Sequence, residues 1–269
     1  MRIAICFSGG LRSSDQTSQY IKRYIGDLWD NCDFFLHTWD HESISIHDTL
    51  SLKTNIIALP SMFPMDQSKI DRFCDFYQPK VKMIEEWTQS IAYIGLGEPL
   101  WESFAKVISL KKEYEQTHNF TYDFVVRIRP DILIHSSKSL EEDISDCSKF
   151  PRKLIFCDIN NRNEHSIQYI EDVFFISDSI TMDHLSMFNE FRLNSNLGNV
   201  DWQHHMCDFV ANTLGKRINK MKNNMAAILY ISNSMHGGRW EEKYFIKFNK
   251  RYRFEALDVD LEQFVNTKL

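Results

Sequence analysis

Several protein classes are excluded by what this sequence lacks. No stretch approaches the roughly 20 consecutive apolar residues a bilayer-spanning helix requires, so any membrane contact is expected to be peripheral at most. The only apolar run near the start, Ile3 to Phe7, is too short for a signal peptide's hydrophobic region. No Cys-x-x-Cys pair or regular spacing occurs among Cys6, Cys32, Cys74, Cys147, Cys157 and Cys207. That argues against a zinc ribbon or a disulfide framework and for the reducing cytoplasm, peripheral at the inner face of the membrane if anywhere near one. Basic residues are not in excess: 31 Lys and Arg against 37 Asp and Glu give a net charge of -6, scattered except over Lys243 to Arg253. A nucleic-acid partner, which calls for a basic face, is therefore not expected. Repeats and low-complexity segments are also missing.

What is present is a chain of 269 residues, 43% apolar and 25% charged, enough for a sizeable core under a polar surface. MRIAICFSGG reads as a buried strand closed by a glycine turn, followed by a helix with apolar Tyr20, Ile21, Tyr24, Ile25 and Leu28. CDFFLHTW and NIIALP read as the second and third strands. From Met62 to Ile94 the pattern weakens into irregular structure with short helices, and residues 62–97 are expected to form an acceptor-side or lid insertion. Pro99 suits the first turn of a helix carrying Leu100, Trp101, Phe104, Val107, Ile108 and Tyr114. YDFVVRIRPDILI is a strand that breaks at Pro130, with further strands at Leu154 to Cys157, Val173 to Ile176 and Ala227 to Ile231. Between the last two, helices carry Met182, Leu185, Phe188 and Phe191, then Trp202, Met206, Phe209, Val210 and Leu214, with Gly215 as cap. Strands alternating with helices imply an α/β fold with a mainly parallel sheet, Rossmann-like, whose ligands gather at the carboxyl ends of the strands.

Four constellations fall just after expected strands. In FSGGLRSS, Gly9 and Gly10 permit close approach of the backbone, and Ser8, Gly9 and Arg12 can hold a nucleotide; the alternative is a plain strand-to-helix turn. In HTWD, His37, Trp39 and Asp40 offer a ring donor, a stacking surface and a carboxylate, or else a core tryptophan with a capping aspartate. In the third, alternation places Arg127, Arg129 and Asp131 on one side of an extended chain. Burying that trio without a ligand is costly. It reads either as an anion and metal site, with Asp131 a hard oxygen ligand to Mg2+ or Mn2+, or as an Arg129–Asp131 salt bridge. In NSMHGGRW, His236 can ligate Mn2+ and Arg239 can neutralise pyrophosphate, unless the segment is an ordinary loop. For a general base, Asp201 competes with Asp172 and its neighbour Glu171; Asp201 also stands where a helix cap is expected.

FSG-x-x-R, HTWD and YDFVVRIRPDI together resemble bacterial and large-virus glycosyltransferases of capsule, lipopolysaccharide and surface-glycan clusters, enzymes similar to the GT-A fold. The resemblance implies a transferase domain over residues 1–240, a tail over 241–269, a nucleotide-sugar donor (UDP-sugar first) and a glycan or lipid-linked glycan acceptor. In such enzymes an Asp-x-Asp motif holds the metal. Here the matching triplet is Arg129, Pro130 and Asp131, so one carboxylate is retained. The resemblance makes His236 the late metal-binding histidine and places Arg239 and Trp240 by the diphosphate. With Asp201 as base, transfer is expected to invert the anomeric centre. The rival readings are a PP-loop ATP pyrophosphatase, whose SGG-x-D-S loop is close to SGGLRSS but has an aspartate at the place of Arg12, and a non-catalytic glycan-binding relic.

Overall fold

The first strand, β1 (Ile3–Ser8), is buried at every position, as a strand covered on both faces must be. The computed structural model describes residues 1–43, 62–87, 98–136, 138–148, 153–156, 173–190, 209, 217–220, 224–236, 239–248 and 253–256; the segment 153–156 and those from 217 onward are described by backbone alone. In chain order β1 is followed by α1 (Ser14–Ile25), a 3-10 turn (Gly26–Asn31), β2 (Cys32–Trp39), β3 (His41–Ser43), β4 (Met62–Pro64), α2 (Gln67–Tyr77), β5 (Val81–Glu85) and α3 (Glu98–His118). Next come β6 (Phe124–Ile128), β7 (Ile132–Ser136), α4 (Leu140–Ser148), β8 (Lys153–Phe156), β9 (Phe174–Ser177), α5 (Ser179–Ser186), β10 (Arg217–Lys220), β11 (Asn224–His236), β12 (Arg239–Phe248) and β13 (Arg253–Ala256).

A 7-stranded sheet runs in the order β10-β8-β9-β6-β1-β2-β5. β1 is parallel to β2 and to β6, β2 to β5, and β8 to β10, whereas β9 is antiparallel to both of its neighbours. The expected α/β architecture, a mainly parallel sheet flanked by helices, is thus observed. Helices cover both faces. Alternation along β1 sends Ile3, Ile5 and Phe7 into one core with Ile21 and Tyr24 of α1, Ile70 and Phe73 of α2 and Ile144 of α4. Ala4 and Cys6 face the other core, with Trp101, Phe104 and Val107 of α3 and Met182 and Leu185 of α5. A buried cation ties the last two helices together: Lys111 Nζ donates to Glu115 (3.0 Å), Ser179 (2.6 Å) and Asp183 (2.6 Å).

A second, antiparallel sheet runs β13-β12-β11-β7. Pro130 lies between β6 and β7, so the chain leaves the main sheet and enters the second one at the break the sequence signals. β11 and β12 pair with His236 opposite Arg239, leaving two glycines between them, a composition favoured in tight hairpins. Strands β12 and β13 continue the second sheet into residues beyond 240.

The stretch from Met62 is more regular than its sequence suggests. Asp66 caps α2 by accepting the Ser68 N–H (3.0 Å), and Ile70, Phe73 and Tyr77 recur on its buried side. β5 was hidden because it is an edge strand whose residues are half-buried and exposed by turns, so its apolar content is low. The expected NIIALP strand and the helix around Trp202 lie outside the described residues, apart from Phe209, whose ring packs 5.5 Å from Phe188. No helix among the described residues is long and apolar enough to cross a membrane.

Phe7 packs against Phe73 (5.1 Å between centroids) and Tyr77 (4.5 Å), joining β1 to α2. Phe7→Ala is expected to lower unfolding free energy by about 3–5 kcal/mol, measured by urea denaturation; a change under 1 kcal/mol would show that this face is not tightly packed.

Candidate functional site

From β1 the connection through α1 leads to β2 on one side, and α3 carries the chain back to β6 on the other. In open α/β sheets such a reversal of strand order marks the ligand crevice, which by that rule falls at the carboxyl ends of β1 and β6. Two sequence segments meet there: the turn after β1 and the turn at Pro130.

The turn after β1 is sharply bent. Gly9 adopts φ +111°, a conformation that suits glycine, and Arg12 itself sits at φ +35°. The Gly9 N–H donates to Ser103 Oγ of α3 (2.9 Å), and the Arg12 N–H donates to the buried Glu42 carboxylate (2.6 Å). Gly10 lies against Arg12: a Cβ there would rest in ordinary van der Waals contact, 3.6 Å from Arg12 Cγ and from Nε.

The Pro130 turn brings Asp131 to the Arg12 side chain. Asp131 Oδ2 accepts from Arg12 Nη1 (2.8 Å) and from Arg129 Nη2 (2.7 Å), and Oδ1 accepts from Arg129 Nε (2.9 Å). Asp131 is 0% exposed, Arg129 11% and Arg12 28% by side chain, so the carboxylate is sealed beneath two side chains that are themselves partly exposed. Burial pushes the Asp131 carboxyl's pKa up, but the charges of Arg129 and Arg12 more than offset this and hold it below the usual carboxylate range. Thr17 Oγ1 of α1 donates to the Pro130 carbonyl (2.6 Å) and fixes the turn. Glu42 also pairs with Lys69. Among the described residues Arg12, Arg129 and Lys69 face the carboxylates of Asp131 and Glu42.

The strand ends at Ile128, so alternation does not carry through to Asp131 as the sequence pattern implies. Arg127 packs on the α3 side: its Nε donates to Ser8 Oγ (2.7 Å), and its guanidinium lies 5.6 Å from the Phe104 ring centre and 5.8 Å from that of Phe175. Ser8 is fully buried, so its role there is to hold Arg127.

A second cluster lies at the ends of β2 and β5. His37 is fully buried, with Nε2 2.8 Å from Glu85 and Nδ1 2.8 Å from Ser103 Oγ. The carboxylate sets the tautomer: Nε2–H donates to Glu85 and Nδ1 accepts the Ser103 hydroxyl proton, while Ser103 accepts from Gly9. A chain of hydrogen bonds therefore runs from β5 to the Gly9 turn. Lys106 pairs with Glu85 and with Glu102 (2.7 Å). Burial pushes the His37 pKa down, outweighing the opposing pull of Glu85. Trp39, expected to offer a stacking surface, is 4% exposed. His37 (5.1 Å) and Trp87 (5.6 Å) pack edge-on against it, and Lys106 lies over its ring (5.0 Å). Asp40 sits at the rim, accepting from the Trp87 N–H (2.7 Å) and paired with His41.

The structure thus unites Arg12, Arg129 and Asp131 and ties Gly9 to His37. The partners Glu42, Lys69, Glu85 and Ser103 went unnoticed in the sequence, because helix and edge-strand residues far along the chain carry no local motif. Asp201, Asp172 and Glu171 lie outside the described residues. His236 and Arg239 are described by backbone only, facing each other across the β11–β12 pair.

A divalent cation does not fit Asp131 as it stands. Both oxygens are occupied by guanidinium donors, and a cation coordinated at about 2.1 Å would sit against two like charges. Among the described residues no group of three or more His, Cys, Asp or Glu side chains is placed to hold a metal.

No family model matches this sequence, and no curated protein matches it. Among solved structures it is similar to the apo-form glycosyltransferase GlyE of Streptococcus pneumoniae TIGR4, at 7% identity and a TM-score of 0.43, over 81% of this chain and 44% of that one. The chain spans less than half the length of that neighbour.

Asp131→Asn removes the charge that pairs with both arginines, and is expected to cost about 3 kcal/mol in urea unfolding; an unchanged midpoint would contradict the ion-pair account. For His37, the unfolded chain takes up a proton near pH 6.5 that the native ring refuses until lower pH. Stability therefore falls as pH drops through that window, and His37→Gln is expected to lose less stability than wild type between pH 7 and 5. Equal losses would show that the ring titrates freely.

Proposed function

We propose that this chain is a glycosyltransferase that moves a sugar from a nucleoside diphosphate, UDP first, onto a glycan or lipid-linked glycan acceptor. The observation that carries this reading is the cationic turn in which Asp131 holds Arg12 and Arg129 together at the carboxyl ends of β1 and β6. That is where an α/β sheet of this order presents its ligands. As the bond from the anomeric carbon to the diphosphate oxygen breaks, negative charge grows on the leaving group. Donors already oriented towards that charge stabilise it without reorganising, usually the largest catalytic contribution. On this reading Arg12 and Arg129 play that part, held together by the buried Asp131 carboxylate. Bacterial surface-glycan assembly, of the capsule or lipopolysaccharide kind, is the setting this reading favours. The partly basic β12, with Lys243 and Lys247, offers a peripheral contact to an anionic lipid-linked acceptor.

The acceptor hydroxyl must lose its proton to a base as it attacks. Asp201 is proposed for that role, with Asp172 as second choice, which makes the transfer inverting. The PP-loop pyrophosphatase reading is disfavoured by Arg12: where that loop has a carboxylate, this chain has a guanidinium bonded to Asp131.

Incubation with a panel of UDP- and GDP-sugars is expected to release nucleoside diphosphate slowly in water and faster with a glycan acceptor. Asp201→Ala should lower kcat about 10²–10⁴-fold while donor binding persists. Failure to bind or turn over any nucleotide sugar would sink the assignment, and a glycan-binding role would then be preferred.

A further inference from the structure

Resting on the donor-site reading above, we propose that the donor's diphosphate is bound without a divalent cation, its charge being met by the guanidiniums of Arg12 and Arg129 that Asp131 keeps side by side.

Charge balance motivates the inference. Two carboxylates of an Asp-x-Asp pair and one divalent cation sum to zero. Arg129 and Asp131 sum to zero with no cation at all, because replacing a carboxylate by a guanidinium adds the two positive charges the metal brings. Arg12 then supplies a further positive charge that a two-carboxylate site lacks.

Geometry points the same way. Arg12 Nη1 and Arg129 Nη2 both bond to the one oxygen Asp131 Oδ2, at 2.8 Å and 2.7 Å, so the two guanidiniums can be no farther apart than those bonds laid end to end. Neighbouring phosphates of a diphosphate present oxygens on that scale, and planar guanidinium forks match them. Arg12 Nε is buried and has no hydrogen-bond partner among the described residues, so Arg12 reaches Asp131 through Nη1 alone. The Asp131 carboxylate is beneath both arginines and fully buried, so a metal reaching it has to displace one of them and expose the other to an unscreened like charge. The carboxylate serves as the counter-ion that positions the phosphate binders.

The test is isothermal titration calorimetry of UDP, GDP and inorganic pyrophosphate into the full chain, first with EDTA and then with excess Mn2+. At least one probe is expected to bind in EDTA, with a Kd that Mn2+ changes by less than about tenfold, a shift of 1.4 kcal/mol. Arg12→Gln, at the more exposed position, and Arg129→Lys, which loses the bidentate fork, are each expected to weaken that binding about tenfold or more while circular dichroism stays native. Binding that requires Mn2+ would overturn the inference and leave the donor site standing. Metal-free binding unaffected by either substitution would overturn it as well. If no probe binds under either condition, the donor-site reading fails and takes this inference with it.

Discussion

A single buried carboxylate organises the site. Asp131 is inaccessible to solvent yet charged, which is tolerable because three hydrogen bonds from two guanidiniums reach its two oxygens. Those guanidiniums come from turns more than a hundred residues apart in sequence, one after β1 and one after β6, so the ion pair also locks the crevice between the strands. Removing either arginine leaves the Asp131 charge under-compensated in a place from which water is excluded. The rest of the site can be read as scaffolding for this contact: Glu42 fixes the Arg12 backbone, Thr17 fixes the Pro130 carbonyl, and Ser103 fixes Gly9.

The two halves of the crevice differ in character. On the β6 side the charged groups pair with one another, the buried Asp131 beneath the partly exposed Arg12 and Arg129. On the β5 side His37 and Ser103 are buried and bond to each other, His37 also to Glu85 and Ser103 to Gly9, while the buried Trp39 packs edge-on against His37. That network has no polar atom of His37 left for a ligand, so it acts by holding the Gly9 turn in a backbone conformation that costs other residues strain. Trp87 and Asp40, at the rim, remain within reach of solvent on that side, as do the side chains of Glu85 and Lys106.

Much of this was legible in the sequence wherever one local rule dominated. Continuous apolar runs marked β1 and β2, Pro99 marked the start of α3, and Pro130 marked the passage from one sheet to the other. Arg129 and Asp131 stood out as charges interrupting an apolar run, and Arg12 as a charge beside a glycine pair. The Arg129–Asp131 pair was legible only as one of two readings and the Arg12–Asp131 pair not at all, because spacing along a chain says nothing about which cation folds back onto which anion. Alternation misassigned Arg127, since the strand stops at Ile128 and the residues beyond it follow a turn. β5 escaped because an edge strand needs little apolar content, and Trp39 read as a surface because nothing in HTWD reveals that Trp87 and Lys106 cover its ring.

The central claim is that the paired guanidiniums over Asp131 receive a sugar nucleotide's phosphates. A crystal structure of the chain grown with UDP in the presence of EDTA tests it most directly. The account predicts phosphate oxygens within hydrogen-bond distance of both Arg12 and Arg129, with Asp131 still bonded beneath them. A nucleotide bound elsewhere, or Arg12 and Arg129 remaining on Asp131 with no phosphate against them, would contradict it.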